Sequence, residues 1–316
     1  MRSLTNLFPA SVPGEDGLAG PTTFRPQLSI VIPTFNNVDV LTQCVASWQA
    51  CAGDAAIELI VIEDGCRDRT PEYLDSVTRT PWGGRHLRWF HENDLHELRC
   101  TNRGLEAARA PLAMAWQDDM FVRAPWLAQE IIDTFAAYPD LGLLSLSRGL
   151  MFAPCDDPIV RWEDLADWRR LQSTIGRSPL NWCRLQEVDI VIRPWAVRTA
   201  CLDAVGRLDP AFVPTEWDEA DLCYRLRRAG WAVATHGYER LGAYDHLGST
   251  TLAKGFTDRY KQQVLANGLL FHERWDASIN EQFGRTRRTW WRRSSASGWR
   301  WTAEHALARL VSRLRP

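Results

Sequence analysis

Ala115-Trp116-Gln117-Asp118-Asp119-Met120 is the stretch whose reading decides how this chain folds. Ahead of it, Leu112, Ala113, Met114 and Ala115 form a short apolar run with strand character. Behind it, Ala124-Pro125-Trp126-Leu127 opens an amphipathic helix expected to run through Phe135. The two aspartates therefore fall at the carboxyl end of a strand, where open α/β sheets place their ligands. Adjacent carboxylates repel one another. A divalent cation relieves that repulsion and leaves coordination positions for a diphosphate. Asp is also an ordinary turn residue, so on its own the pair reads first as a solvated turn.

The surrounding chain supplies the missing context. Leu28-Ser29-Ile30-Val31-Ile32 is a β-branched run closed by Pro33, and Thr34-Phe35-Asn36-Asn37 follows as a loop. Val40, Leu41, Cys44, Val45 and Trp48 recur at helical spacing. Ile57 to Ile62 is a second strand running into Glu63-Asp64-Gly65-Cys66, and Thr70-Pro71 reads as the cap and first turn of another helix. Strand–helix–strand–helix order predicts a mostly parallel sheet with flanking helices. His86 to Phe90 supplies a third strand, Asn93 to Asn102 reads as a polar connector, and Arg103 to Ala110 as a short helix. Leu141 to Leu146 and Val188 to Ile192 have strand character. Pro194 is placed to start a helix carrying Val197, Cys201 and Val205. Asp218 to Ala229 predicts a helix stopped by Gly230, with Asp221 spaced to pair with Arg225. Between Gly149 and Leu185 the periodicity breaks in a segment rich in Pro and Trp, the pattern of a binding loop or lid.

Bulk properties narrow the classes. At 316 residues, 45% hydrophobic and 24% charged, the composition is that of a soluble globular protein. No apolar run approaches the ~18 residues of a membrane span. Met1 to Arg25 has no continuous apolar core, so no secretory leader is expected. The eight cysteines show no zinc-ligand spacing and fit reduced core thiols of a cytoplasmic protein. Pro33 to Asn37 contains no glycine, which removes the dinucleotide-binding fingerprint. From Gly284 onward the chain is crowded with arginines against the single acid Glu304, so the body is acidic and no specific nucleic-acid partner is expected.

Taken in order, Pro33-Thr34, Glu63-Asp64-Gly65, Asn102-x-Gly104 with Arg109, Gln117-Asp118-Asp119, Asp218-Glu219-x-Asp221-Leu222 and His246-x-Gly248-Ser249 resemble the inverting family 2 glycosyltransferases with a GT-A fold. The resemblance spans Leu28 to Ser249 and extends weakly over Asn267 to Trp275. It implies an α/β, GT-A-type, mostly parallel central sheet flanked by helices, with a basic C-terminal helical extension. The expected organisation is a loose lead-in over 1–26, a glycosyltransferase domain over 27–275 and an Arg- and Trp-rich tail over 276–316. Within the domain, 27–120 is the nucleotide-binding half, and 121–275 is the acceptor half containing the 149–185 excursion.

The implied activity is transfer of one sugar from a nucleotide-diphosphate sugar, expected to be a UDP-sugar, to a hydroxyl of a glycan, lipid-linked or small-molecule acceptor, as in polysaccharide biosynthesis. By the same resemblance, Pro33 and Thr34 meet the nucleotide, and Asp64 accepts a hydrogen bond from its base. Asn102 and Arg109 lie beside it, although the usual final Asn of that segment is Ala110 here. Asp118 faces the sugar or ribose, and Asp119 ligates Mn2+ or Mg2+. Alone, His246 reads as a surface or satisfied core residue; the resemblance makes it the second metal ligand. The family's acidic pair falls on Asp218 and Glu219. Glu219, standing where Asp is usual, is the expected base, and Asp218 is the alternative.

Two other functions compete: a nucleotide-sugar-forming nucleotidyltransferase, and a catalytically degenerate sugar-binding domain. The first is disfavoured by the absent basic glycine-rich loop, the second by the retention of Asp64, Asp119 and His246. Two readings also stand for 285–316. It lies on an anionic membrane as a peripheral anchor at the inner face, or it is a solvated or packed segment.

Overall fold

A computed structural model describes residues 24–147, 149–150, 184–214, 216–239, 241–248, 258–282 and 289–291. Its amino-terminal half alternates strand and helix: β1 (Leu28–Thr34), α1 (Val38–Cys51), β2 (Ile57–Asp64), α2 (Thr70–Thr78), α3 (Pro81–His86), β3 (Leu87–Glu92), α4 (His96–Ala107) and β4 (Leu112–Ala115). Then follow β5 (Met120–Val122), α5 (Leu127–Ala137), β6 (Leu141–Ser145), β7 (Gly149–Leu150), β8 (Arg184–Glu187), β9 (Ile190–Val191), β10 (Trp195–Arg198) and α6 (Thr199–Val205). The chain continues through α7 (Asp218–Arg228), β11 (Ala232–Thr235), β12 (Tyr244–His246), α8 (Asp258–Gln282) and β13 (Thr289–Trp291).

Nine strands join in the order β13-β8-β11-β6-β10-β4-β1-β2-β3. All share one direction except β8 and β10, so the sheet is mixed and mostly parallel. Alternation along the strands divides two apolar layers. Leu28, Ile30 and Ile32 pack with Leu41, Trp48, Ile131 and Phe135 from α1 and α5. Val31, Ala113 and Val197 pack with Leu98 and Leu105 of α4, Leu222 and Leu226 of α7, and Phe271 and Trp275 of α8. Both faces are covered, which is why the central strands read as continuous apolar runs rather than alternating ones.

Several local expectations are corrected. The 195–198 segment is a central strand, not the opening of a helix. Trp195 and Val197 fill one layer and Ala196 the other, and the helix begins only at Thr199. The polar connector over 93–102 is largely α4. Leu98, Thr101 and Leu105 form its buried face, and the Asp64 carboxylate accepts the N–H groups of Leu95 (2.7 Å) and His96 (2.9 Å) at its start. Thr70 is the first residue of α2 rather than its cap, and Asp68 accepts both its N–H (3.0 Å) and its hydroxyl (2.6 Å). Of Val188 to Ile192 only Ile190–Val191 is strand, paired with β7 outside the main sheet.

The boundary expected at 276 falls inside α8. Trp290 and Trp291, which the sequence places in the basic tail, pair with Leu185 and Arg184 at the sheet edge. The remaining tail, the lead-in over 1–23 and most of the 149–185 excursion lie outside the described residues.

Two packing details hold helices in place. Asp221 accepts from Arg225 Nε (2.7 Å), as the i,i+4 spacing predicts, and its other oxygen accepts from Trp275 Nε1 (2.9 Å) and Arg274 Nη1 (3.3 Å). That carboxylate thus clamps α7 to α8. Gly104 lies where α4 crosses β1, and a Cβ there would overlap Val31 Cγ1, a side chain locked in the sheet. Gly104→Ala should therefore destabilise the fold by ~1–3 kcal/mol through overpacking, although Ala is the better helix former by about 1 kcal/mol. Denaturant unfolding of the two proteins reads the balance, and a variant at least as stable as the parent would contradict this packing.

Candidate active site

The parallel strands β1, β2 and β4 all deliver their carboxyl ends to one edge of the sheet, and 117–119 follow directly from β4. Thr34, the last residue of β1, donates its hydroxyl to Asp118 Oδ2 at 2.7 Å, and Asn37 Nδ2 donates to the same oxygen at 3.1 Å. Burial pushes Asp118 up to about 6. Nearby Asp119 and Glu97 push the same way, against the bonds from Thr34 and Asn37.

Asp119 meets His246 through a ribbon that the sequence did not announce. β12 pairs antiparallel with β5, setting His246 opposite Met120, and Leu247 N–H donates to Asp119 O at 3.1 Å. His246 Nε2 stands 3.4 Å from Asp119 Oδ1, with the imidazole side chain 36% exposed and the carboxylate 6%. The Asp119 hydrogen bond raises the His246 pKa, outweighing burial. A carboxylate oxygen beside an imidazole nitrogen is a donor set that Mn2+ accepts. Among the described residues no group of three His, Cys, Asp or Glu converges as a full ligand set. The pair therefore suits an ion that draws its remaining ligands from water and phosphate oxygens, as cations serving nucleotide diphosphates do.

The acidic start of α7 reaches the same edge through Arg193. Because β10 runs antiparallel to β4 with Trp195 opposite Ala115, the residues just before β10 lie beside 116–118. The Arg193 guanidinium donates to Glu219 Oε1 (2.5 Å), to Asp218 Oδ2 (3.4 Å) and to Glu97 Oε1. Gln117 Nε2 stands 3.5 Å from that Glu97 oxygen. A polar line thus runs from the Asp118–Asp119 turn to the Asp218–Glu219 pair. Trp195 Nε1 adds a second bond to Glu219 Oε1, at 3.0 Å. Burial pushes Asp218 up to about 7, with Glu219 adding and Arg193 opposing; burial also raises Glu219, again against Arg193. Just ahead, Glu216 accepts from the Tyr260 hydroxyl, and burial pushes it up to about 7. Glu216 and Trp217 both adopt positive φ (76° and 68°), a strained entry to the helix of the kind that gathers at functional sites.

Not every expected residue joins this edge. Pro33 and Asp64 do, at the ends of β1 and β2. The Asp64 oxygens accept the N–H groups of Leu95 and His96, and the Cys100 thiol also bonds this carboxylate. The Asn102 amide donates to Leu208 O (2.7 Å) and accepts from Leu208 N–H (3.0 Å), tying α4 to the segment after α6. Arg109 is displaced outright. It precedes β4, with its N–H on Glu58 Oε1 (2.9 Å) and Ala110 N–H on Ser29 Oγ, at the amino edge opposite the aspartates. Sequence reasoning missed Glu97, Arg193, Trp195, Glu216 and Tyr260. Reading Pro194 as a helix start hid the antiparallel strand that carries Arg193 to the site.

Residues 29–140 match the family model described as Glycosyl transferase family 2. Glycosyltransferase AglD of Haloferax volcanii is 28% identical over 113 residues, which is 34% of this chain and 18% of AglD. The chain thus spans under a fifth of that relative's length. Among solved structures, GalNAc-T7 with UDP, GalNAc and Mn2+ aligns with a TM-score of 0.58 at 15% identity, over 81% of this chain and 50% of that one. Mannosyltransferase PcManGT from Pyrobaculum calidifontis, in complex with GDP-Man and Mn2+, gives 0.46 at 16% identity over 92% and 83% of the two chains, too distant to add to the argument. The GalNAc-T7 alignment is a likeness of fold, and that fold is the GT-A type. The family match covers Thr34, Asp64 and 117–119 but stops short of Arg193, Glu216–Glu219 and His246.

Proposed function

We propose that this protein is a glycosyltransferase that moves one sugar from a nucleotide-diphosphate donor to an acceptor hydroxyl with inversion at the anomeric carbon. The observation that carries the reading is the shared edge: the Asp119–His246 pair and the Asp218–Glu219 pair are joined by the Gln117–Glu97–Arg193 line. A donor diphosphate fits the first pair and an acceptor hydroxyl the second.

In this reading Thr34 and Asn37 orient Asp118 toward the donor, and Asp64, at the end of β2 on the same edge, accepts from the base, most naturally uracil. Asp119 and His246 hold a Mn2+ or Mg2+ ion, which when bound neutralises charge on the departing diphosphate. The acceptor oxygen forms its bond to the anomeric carbon while the bond to the diphosphate oxygen breaks, its electron pair leaving with the diphosphate. The hydroxyl proton passes to Glu219. One displacement needs no covalent intermediate, which is the basis of the proposed inversion. The acceptor in this reading is a glycan, a lipid-linked sugar or a small molecule. Among those residues no helix is long and apolar enough to cross a membrane.

A panel of nucleotide sugars, screened with Mn2+ by thermal shift and then for donor turnover, tests this reading. A ligand of the native state raises the melting temperature. The expected result is stabilisation by one donor, metal-stimulated release of its nucleotide, and an inverted product by proton NMR. Binding without turnover toward any acceptor or water would favour a degenerate sugar-binding domain. Formation of a nucleotide sugar from nucleoside triphosphate and sugar phosphate would favour a nucleotidyltransferase.

A further inference from the structure

Arg193 stands out because one buried cation is shared by three carboxylates, Glu97 from α4 and the adjacent Asp218 and Glu219 at the start of α7. Its side chain is 7% exposed. Nη1 donates to Glu97 of α4, Nη2 reaches Asp218 Oδ2 at 3.4 Å, and Nε donates to Glu219 Oε1 at 2.5 Å. A planar guanidinium addresses several acceptors at fixed angles, which a lysine ammonium does not. Trp195 Nε1, two residues on, donates to the same Glu219 oxygen at 3.0 Å. Every bond described for Glu219 therefore falls on Oε1, and Oε2 is left for a substrate. Glu97 is also the group within reach of Gln117, immediately before the two aspartates.

Resting on the transfer reading above, we propose that Arg193 is a positioning residue. Together with Trp195 it fixes Glu219 so that Oε2 takes the acceptor's proton, and through Glu97 it ties that base to the donor side at Gln117. The charged and titratable groups facing this base are Arg193, Asp218 and the buried Cys223 thiol on its own helix, Glu216 just before it, and Glu97 from α4. Arg193 alone among them is cationic. A guanidinium kept merely for charge balance would be replaceable by any cation; one that aims a carboxylate would not.

The test compares Arg193→Met and Arg193→Lys with the parent. Losing an opposite charge at this distance raises a carboxylate's pKa by at least about one unit. Arg193→Met is therefore expected to move the acid limb of kcat up by about one pH unit and to lower kcat ~10-fold or more at neutral pH, with donor KM nearly unchanged. Arg193→Lys should hold the acid limb near its parental position while kcat stays depressed, because charge is restored and the fork is not. Parental kcat and acid limb in folded Arg193→Met, or full rescue by Arg193→Lys, would overturn the proposal. If neither variant folds, Glu97→Ala removes the acceptor from the partly exposed side and cuts the tie, and parental kcat in that variant overturns the donor-side link.

A substrate-free readout separates this proposal from the functional one. In protein carrying 13C-carboxyl glutamate, the Glu219 resonance, assigned by its absence in Glu219→Gln, should titrate about one unit higher in Arg193→Met. Parent protein that turns over no donor, with that shift present, sinks the transfer reading and leaves Arg193's hold on Glu219 standing. An unshifted resonance sinks the latter.

Discussion

Asp119→Ala is expected to lower sugar transfer by ~10³-fold or more, because metal stabilisation of a leaving oxyanion is worth several kcal/mol and each 1.36 kcal/mol is a decade. The reasoning starts from geometry. Asp119 is nearly buried and held by the β5–β12 ribbon, so its carboxylate is directed at His246 and not at bulk water. Replacing Asp119 leaves its main-chain carbonyl bond to Leu247 N–H intact, so the ribbon itself should survive. His246 is the more exposed partner, and His246→Ala should cost less than Asp119→Ala, with a higher Mn2+ concentration needed for half-activation. Steady-state turnover across a Mn2+ titration, with melting temperatures as a folding control, reads both effects. Undiminished turnover of the parent in EDTA would remove the metal from the reaction altogether.

Which parts of this arrangement were legible beforehand follows from how far apart the deciding residues lie. β1, β2, β4 and α5 are visible in apolar runs closed by Pro33, by Glu63-Asp64-Gly65 and by the Asp118–Asp119 turn, so the parallel half of the sheet could be read locally. The α7 helix and its Asp221–Arg225 pair announce themselves through spacing. α4 did not, because its opening residues His96, Glu97 and Arg99 are polar and its cap is Asp64, more than thirty positions earlier. β10 did not either: Trp195-Ala196-Val197 is too short to show a period, and its strand character comes from insertion between β4 and β6.

The same distinction holds at the site. Asp118, Asp119, Asp218 and Glu219 stand out as carboxylate pairs, but what each bonds is set by long-range pairing. Arg193 reaches the site only because β10 reverses direction, and His246 only because β12 lies against β5. Arg109 shows the converse error. It sits near Asp118 in sequence, yet a strand intervenes, and β4 carries the two to opposite edges of the sheet.

Glu219→Gln is expected to reduce transfer by at least ~10²-fold, the lower scale of general-base effects, while leaving donor and metal affinity close to parental. Two carboxylates compete for the role, and their surroundings favour Glu219. Asp218 is 2% exposed, whereas Glu219 is 18% exposed with its bonds confined to Oε1. The extra methylene of Glu over Asp carries the carboxylate farther from the helix, into the span that Arg193 and Trp195 close from the other side. Burial raises the Glu219 pKa, so its base form is gained as pH rises through that pKa and lost as pH falls. The parental kcat should therefore show an acid limb, and the residual activity of Glu219→Gln should lack it, since the amide does not titrate. Asp218→Asn removes a like charge beside Glu219, which Asp218 helps to hold in a shared acidic pocket with Glu97 and Glu216. It should lower the acid limb and keep kcat within about tenfold of the parent. If Glu219→Gln turned over at the parental rate while Asp218→Asn was inactive with donor binding intact, the base would be Asp218, and Arg193 would serve that carboxylate through Nη2.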